Sequence, residues 1–205
     1  MSSLAIIGAG GHGKVVAEIA SLCGFHPIDF YDDVKPVGMI IGDWLVQGTI
    51  SDLLMKQATY HGVIIAIGHN TIRSAIADKV IEEKLITLIH PNAIVSDFAE
   101  IGSGTVIMPG AIINASAHIG NGVIVNSMAV IEHDCYIGDY SHISPGAVLA
   151  GNVSVGHHCW IGANCAIRQD IKIGSSAIVG IGSAVVKDVD SGVTVVGIPA
   201  KVLVK

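Results

Sequence analysis

From Ile89 onward the chain repeats one pattern of apolar and polar positions every six residues. Each sixth residue, from Ile89, Val95, Ile101 and Ile107 through Ile131, Ile137 and Ile143 to Ile173, Val179 and Val185, is aliphatic without a break. Four residues after each comes a mostly small residue, such as Ala93, Thr105, Ala129, Cys135 or Ala147, and glycine often follows the aliphatic one directly, as in Ile101-Gly102 and Ile137-Gly138. A period of six matches neither the helical 3.6 nor the two-residue alternation of hairpins. It predicts a short strand and a turn, repeated. The aliphatic residue then points inward, the small residue fits a corner, and the glycine supplies turn geometry. Three such faces close one triangular coil, and coils stack by parallel pairing at about 4.8 Å. Seventeen hexads make between five and six coils. Hexapeptide coils are the exception to right-handed crossover, so the predicted fold is a left-handed parallel β-helix of hexapeptide repeats.

Residues 1–85 read differently. Leu4-Ala5-Ile6-Ile7 is a buried strand, followed by the loop Gly8-Ala9-Gly10-Gly11-His12-Gly13 and an amphipathic helix through Val15, Val16, Ile19, Ala20 and Leu22. A second strand, Ile28-Asp29-Phe30-Tyr31, ends on Asp32-Asp33, and a third apolar run, Val63 to Gly68, precedes a helix predicted from Asn70 to Glu83. This strand–helix alternation implies a small parallel α/β sheet. The chain therefore divides into an α/β half-Rossmann domain over 1–85 and an all-β β-helix with a closing segment over 86–205. Gly8-x-Gly10-x-x-Gly13 offers bare backbone and a helix N-terminus to a phosphate. A dinucleotide site needs two such halves, so a single nucleotide or a nucleotide-linked sugar fits better. Gly10, Gly11 and His12 are the candidate phosphate or sugar contacts, with Asp32 and Asp33 for a ribose or base. A histidine at a helix N-terminus is discouraged from charging.

Composition sharpens this picture. Of 205 residues, 51% are hydrophobic and 14% charged, and 25 glycines stand against three Phe and two Trp, as a turn-rich β architecture packing small aliphatics requires. The net charge of −6 and the lack of a Lys/Arg cluster exclude nucleic acid as the expected partner. No apolar run is long enough for a membrane span and no signal peptide is legible, so a cytoplasmic protein is expected. The four cysteines form no C-x-x-C pair; Cys135, Cys159 and Cys165 fall on the small corner position, and no Cys/His set has metal-ligand spacing, so no metal is expected.

GAGGHGKVVAEIA, FYDD, AIGHNTIR, NSMAVIEHDCYIGDYSHISPGAVLAGNV and VVGIPAKVL, in that order, resemble the sugar O-/N-acyltransferase family of sialic acid O-acetyltransferases and bacillosamine, perosamine and viosamine N-acetyltransferases. The resemblance spans essentially the full length. It implies an acetyl-CoA-dependent homotrimer whose N-terminal domain holds a nucleotide-linked sugar, and is strongest toward enzymes acetylating the 4-amino group of a 4-amino-4,6-dideoxy sugar for surface glycans such as lipopolysaccharide or capsule.

The repeat breaks its own grammar at Glu132-His133-Asp134, where an imidazole stands between two acids. Histidine is the natural base near neutral pH, and a carboxylate beside it sets its tautomer. The resemblance makes His133 the catalytic base and Glu132 its partner. His142 matches a second family histidine near the thioester of acetyl-CoA. Nine residues, half of one coil, separate His133 from His142, so the two meet only where neighbouring subunits pack, with active sites between subunits. Gly151, eighteen residues past His133, is the candidate oxyanion donor beside the thioester. Asn126 is a candidate sugar contact or a structural turn residue. Ala163 and Ile181 line the face that in the family carries the pantetheine, and Lys201 is placed to reach a CoA phosphate. His118, His157 and His158 read as surface turns, and Arg73 is open between structural and substrate roles. Two alternatives stand beside the N-acetyltransferase: an O-acetyltransferase of sialic acid or another sugar hydroxyl, and a non-catalytic β-helix binding module.

Overall fold

A computed structural model describes residues 2–203 and resolves two compact units, Met1–Pro91 and Asn92–Lys205. In the first, β1 (Ser2–Ile7), α1 (Gly11–Leu22), β2 (Phe25–Tyr31), β3 (Ile40–Ile41), β4 (Trp44–Gly48), α2 (Ile50–Lys56), β5 (Gly62–Ile65) and α3 (Asn70–Ala77) follow one another. The sheet order is β3-β4-β2-β1-β5, parallel except for the β3–β4 hairpin. From β1 the chain crosses to β2 on one side and later to β5 on the other. That reversal places a topological switch point at the carboxyl ends of β1 and β5, where open α/β sheets bind their ligands.

Two expectations for this unit change. The third helix ends at Ala77 rather than Glu83: beyond it Lys79 and Val80 donate to Ile76 and Ala77, a tightening to three-residue turns that buries Val80. Residues 40–56, which the strand–helix reading passed over, form β3, β4 and α2. The Thr49-x-x-Asp52 pair that starts α2 is a reciprocal capping box, a signature visible in sequence.

The second unit is a left-handed parallel β-helix with two-residue strands on three faces. The first face stacks Ile94–Val95, Ile112–Ile113, Val130–Ile131, Val148–Leu149, Ala166–Ile167 and Ala184–Val185. The second runs from Glu100–Ile101 through His118–Ile119, Tyr136–Ile137 and Ser154–Val155 to Lys172–Ile173. The third carries Val106–Ile107, Ile124–Val125, His142–Ile143, Trp160–Ile161 and Ile178–Val179, and closes on Thr194–Val196 with the antiparallel Lys201–Val202. The ladder predicted from the sequence is the interior: Ile107, Ile113, Ile119, Val125 and their successors are almost wholly buried. Its first member, Ile89, lies in the other unit and is 38% exposed. Cys135, Cys159 and Cys165 are buried in the corners, and burial pushes the Cys165 thiol up to about 12. Such thiols are packing groups.

The glycines after the aliphatic residues have a different cause from the one expected. Positive φ falls two residues later, at Asp134 (φ 60°), Tyr140 (φ 55°) or Gly146 (φ 67°). Gly138 and its equivalents are small because the next coil lies directly above: a Cβ on Gly138 would stand 2.6 Å from the Gly156 carbonyl carbon. Close stacking of coils, rather than turn geometry, selects glycine there.

Among the described residues no helix is long and apolar enough to cross a membrane, and no group of three or more His, Cys, Asp or Glu is placed to hold a metal ion.

Candidate active site

His133 sits on the turn that leads from the first face to the second. The left-handed backbone at Asp134 curls that carboxylate back, so that Nδ1 of His133 lies 2.7 Å from Asp134 Oδ2. The carboxylate accepts from Nδ1–H, which leaves the Nε2 lone pair as the basic site. The same hydrogen bond raises the His133 pKa above its ordinary 6.5, with smaller charge contributions from Asp134 and Glu132. Asp134, not Glu132, is therefore the hydrogen-bonded partner. Glu132 precedes the left-handed corner and acts on His133 through charge alone. Beneath the ring, one coil on, is Gly151. A Cβ there would stand 2.6 Å from His133 Cε1 and 2.7 Å from Nε2. Its bareness makes room for the base.

The opposite edge of the first face is the turn between the third face and the first. Here the structure joins two residues that the sequence assigned separately: Asn126 Nδ2 lies 3.0 Å from His142 Nε2. Asn126 Oδ1 accepts from the Ser127 N–H at 2.8 Å. His142 is 8% exposed and packs against Trp160 with ring centroids 4.8 Å apart. One coil above Asn126, Ser144 is buried and its Oγ has no hydrogen-bond partner. Further up the same edge come Ala163 and Ile181, joined through the Gly182 N–H to the Ala163 carbonyl at 2.9 Å, with Ile181 80% exposed. Lys201 lies at the far end, exposed, on a cleft of about 330 Å³ shared with Val185, Lys187, Val189 and Pro199. His133 and His142 are thus on different faces of one chain, as their spacing requires.

The remaining β-helix histidines are engaged in the scaffold. His157 Nδ1 accepts from the Asp139 N–H at 3.0 Å, which leaves that nitrogen unprotonated and makes the 3.6 Å approach to Asp139 Oδ2 no ion pair. His158 stacks on Tyr140, and His118 stacks on Tyr136 while meeting Glu100 at 2.9 Å.

In the first unit the four glycines of the loop divide their work. Gly8 has φ +104° and packs against Ala66; a Cβ on Gly13 would overlap the Gly8 carbonyl; Gly10 and Gly11 face open space. Only the last two can meet a ligand. His12 is held neutral, its pKa pushed down to about 4 by burial and by the Arg73 guanidinium. Its Nε2 is buried with no hydrogen-bond partner. Arg73, itself 1% exposed, donates to the Ile67 and Gly68 carbonyls and to Asn70 Oδ1. Asp32 accepts from the N–H groups of Ala9, Val34 and Lys35 at 2.7–2.9 Å. Burial works against its charge, and those donors outweigh it, so its pKa is lowered. Asp33 accepts from Ile50 N–H at 2.9 Å. Both acids brace loops around the glycine turn.

Two residues of the site escaped the sequence reading. Asp134 was legible as an acid beside His133, but the left-handed corner that turns it back was not. Ser144 carries no signal in a turn of small residues.

An α/β unit with an open glycine turn, followed by a hexapeptide β-helix whose edges carry a His–Asp dyad and a small-residue track, defines a nucleotide-sugar acyltransferase scaffold. The PglD N-terminal domain model matches residues 3–80, and the bacterial transferase hexapeptide model matches residues 116–151. The acetyltransferase domain of PglB from Neisseria gonorrhoeae FA1090, in complex with acetyl coenzyme A, superposes with a TM-score of 0.93 at 42% identity, covering 98% of each chain. A histidine-to-asparagine mutant of perosamine N-acetyltransferase from Caulobacter crescentus, in complex with CoA and GDP-perosamine, superposes with a TM-score of 0.95 at 33% identity, over 100% of this chain and 98% of that one. UDP-N-acetylbacillosamine N-acetyltransferase of Bacillus subtilis (strain 168) is 40% identical over 109 residues, 51% of this chain and half the length of that relative. The chain belongs to the PglD-type family of acetyl-CoA-dependent sugar N-acetyltransferases.

Proposed function

We propose that the protein transfers the acetyl group of acetyl-CoA to the 4-amino group of a nucleotide-linked 4-amino-4,6-dideoxy sugar, with His133 as general base. The observation that carries this reading is the His133–Asp134 dyad at 2.7 Å, seated over a glycine at a β-helix edge. The amine attacks as neutral –NH₂, its ammonium proton having passed to solvent, and its nitrogen must give up a second proton, to His133, as it bonds to the thioester carbon. A base whose pKa is raised toward that of the amine suits this task. Attack forms the C–N bond, the carbonyl oxygen takes the negative charge, and collapse breaks the C–S bond. His133 passes the proton it has gained to the departing thiolate. Gly10, Gly11 and His12 receive the phosphates and sugar, with Asp32 and Asp33 holding the loops that shape that site.

The active unit is a homotrimer with sites between subunits. The outward residues of the first face are Ile94, Ile112, Val130, Val148, Ala166 and Ala184, an apolar stripe along the whole coil stack. One edge of that stripe carries His133 and Gly151; the other carries Asn126, Ala163 and Ile181. Threefold packing of the stripe brings unlike edges of neighbours together. The CoA arm then runs along Ala163 and Ile181 toward Lys201. On this reading the reaction is cytoplasmic and supplies sugars for surface glycans.

The test is an acetyl-transfer assay, following free thiol release, against UDP-, dTDP- and GDP-linked 4-amino sugars and free sialic acid. Turnover on one amino-sugar nucleotide, abolished in His133→Ala, supports the reading. Turnover on sialic acid alone would replace it with the O-acetyltransferase. No turnover and no thermal shift with acetyl-CoA would leave a binding module.

A further inference from the structure

The hydrogen bonds around Asn126 leave little freedom in its chemistry. A backbone N–H can only donate, so the atom 2.8 Å from the Ser127 nitrogen must be Oδ1, and the amide orientation is set. Nδ2 then faces His142, and an NH₂ group can only donate, so His142 Nε2 accepts and carries no proton. The imidazole is therefore the Nδ1–H tautomer. One of the two Nδ2–H bonds is spent on His142. The other is the single donor that Asn126 still has to offer, and the half-buried amide, unlike the 8% exposed imidazole, is open to a ligand. A group that offers only N–H recognises a carbonyl oxygen or an anion.

We propose that Asn126 donates this N–H to the acyl carbonyl oxygen of acyl-CoA as negative charge develops there, and that His142 is the positioning residue that holds the amide in that orientation. This rests on the acetyl-CoA reading above. When the amine nitrogen attacks, the carbonyl π electrons move onto oxygen, and Asn126 meets them with a preorganised dipole. When the C–O double bond re-forms, the C–S bond breaks and CoA leaves as thiolate, to be protonated from His133. The sequence had set Asn126 against the sugar and His142 against the thioester. The 3.0 Å bond exchanges those duties: the buried histidine acts through the half-buried amide.

Kinetics on the trimer, with acetyl-CoA binding by isothermal titration measured separately, test this. Asn126→Ala should lower kcat about 10²-fold, as removal of one oxyanion donor does elsewhere, while the acetyl-CoA Kd and both KM values change less than threefold. His142→Leu should lose at least tenfold in kcat, and His142→Gln, whose side-chain oxygen can still accept from Asn126, should recover most of that loss. Imidazole ¹⁵N spectra of the free enzyme should show His142 protonated at Nδ1 alone. A rise in sugar KM at constant kcat in Asn126→Ala overturns the proposal in favour of a sugar contact. Equal losses in the two His142 variants, or an Nε2–H tautomer, overturn the positioning role. Absence of acetyl-CoA binding to the unmodified enzyme would instead fail the functional reading itself.

Discussion

Gly151→Ala isolates the geometry of the base from its chemistry. The added methyl would stand 2.6 Å from Cε1 and 2.7 Å from Nε2 of His133. Carbon contacts are comfortable only at about 3.5–4.0 Å, so the ring must retreat by about 1 Å. It can do so cheaply in energy. The side chain is 64% exposed, Gly151 is not in the left-handed region, and leaving a rotamer well costs about 1 kcal/mol. Replacing glycine by alanine also restricts the unfolded chain, which contributes about 0.4–1 kcal/mol in the opposite direction. Net stability should therefore stay within about 1 kcal/mol of wild type.

Catalysis will not be so tolerant. The retreat breaks the 2.7 Å bond to Asp134 or swings Nε2 off its line to the amine. A misplacement of about 1 Å costs on the order of 10²-fold in rate. The expected result is a kcat loss of roughly 30- to 100-fold, with a melting temperature shift of about 4 °C or less. Thiol release gives the first and differential scanning fluorimetry the second. A folded Gly151→Ala enzyme with more than half of wild-type turnover would refute the placement of His133 over this glycine as a catalytic requirement.

Because Asp134 raises the His133 pKa, and the base works only unprotonated, kcat/KM should rise with pH through a midpoint above 6.5; Asp134→Asn should move that midpoint down and lower the plateau, and an unmoved midpoint in the pH profile would count against the dyad. His12 has its folded pKa lowered to about 4 against 6.5 unfolded, so the unfolded chain binds the extra proton and stability is lost as pH falls through that window. At about 1.4 kcal/mol per unit this reaches about 3 kcal/mol by pH 4, and urea melts of His12→Asn should lack that part of the slope. Val148→Asp puts a carboxylate in the middle of the apolar stripe and should convert trimer to monomer by light scattering, with loss of turnover but an intact β-sheet spectrum.

The β-helix was legible because its interior tolerates only one kind of residue: a polar side chain at Ile137 or Ile143 would have no partner inside a coil. The six-residue phase then placed His133 and His142 correctly on separate faces. The turns were less legible, because what selects their residues is the neighbouring coil eighteen positions away. Gly138 is small on account of Gly156, and Gly151 on account of His133. Asp134 reaches its histidine only through a positive φ that asparagine, serine and tyrosine adopt elsewhere in the same array. In the first unit the glycine motif named the loop correctly, but not that Asp32 spends its oxygens on Ala9, Val34 and Lys35. Side-chain choices enforced by non-local contacts do not show in a local pattern.

The proposed trimer divides one site between two edges of one stripe, and mixing experiments can read that division. His133 lies on the first edge and Asn126 on the second, seven residues apart at opposite corners of the first face. If each site pairs the His133 edge of one subunit with the Asn126 edge of its neighbour, His133→Ala and Asn126→Ala damage opposite halves. In trimers reassembled from an equal mixture, half of the His133 edges and half of the Asn126 edges are intact. Chance association then makes about one quarter of sites wild type, with the rest dead. Turnover should recover to about that fraction from two nearly inactive parents, and separate trimers mixed without reassembly should show no gain. Were both residues to serve a site within one chain, every chain would carry one lesion and no mixture could recover activity.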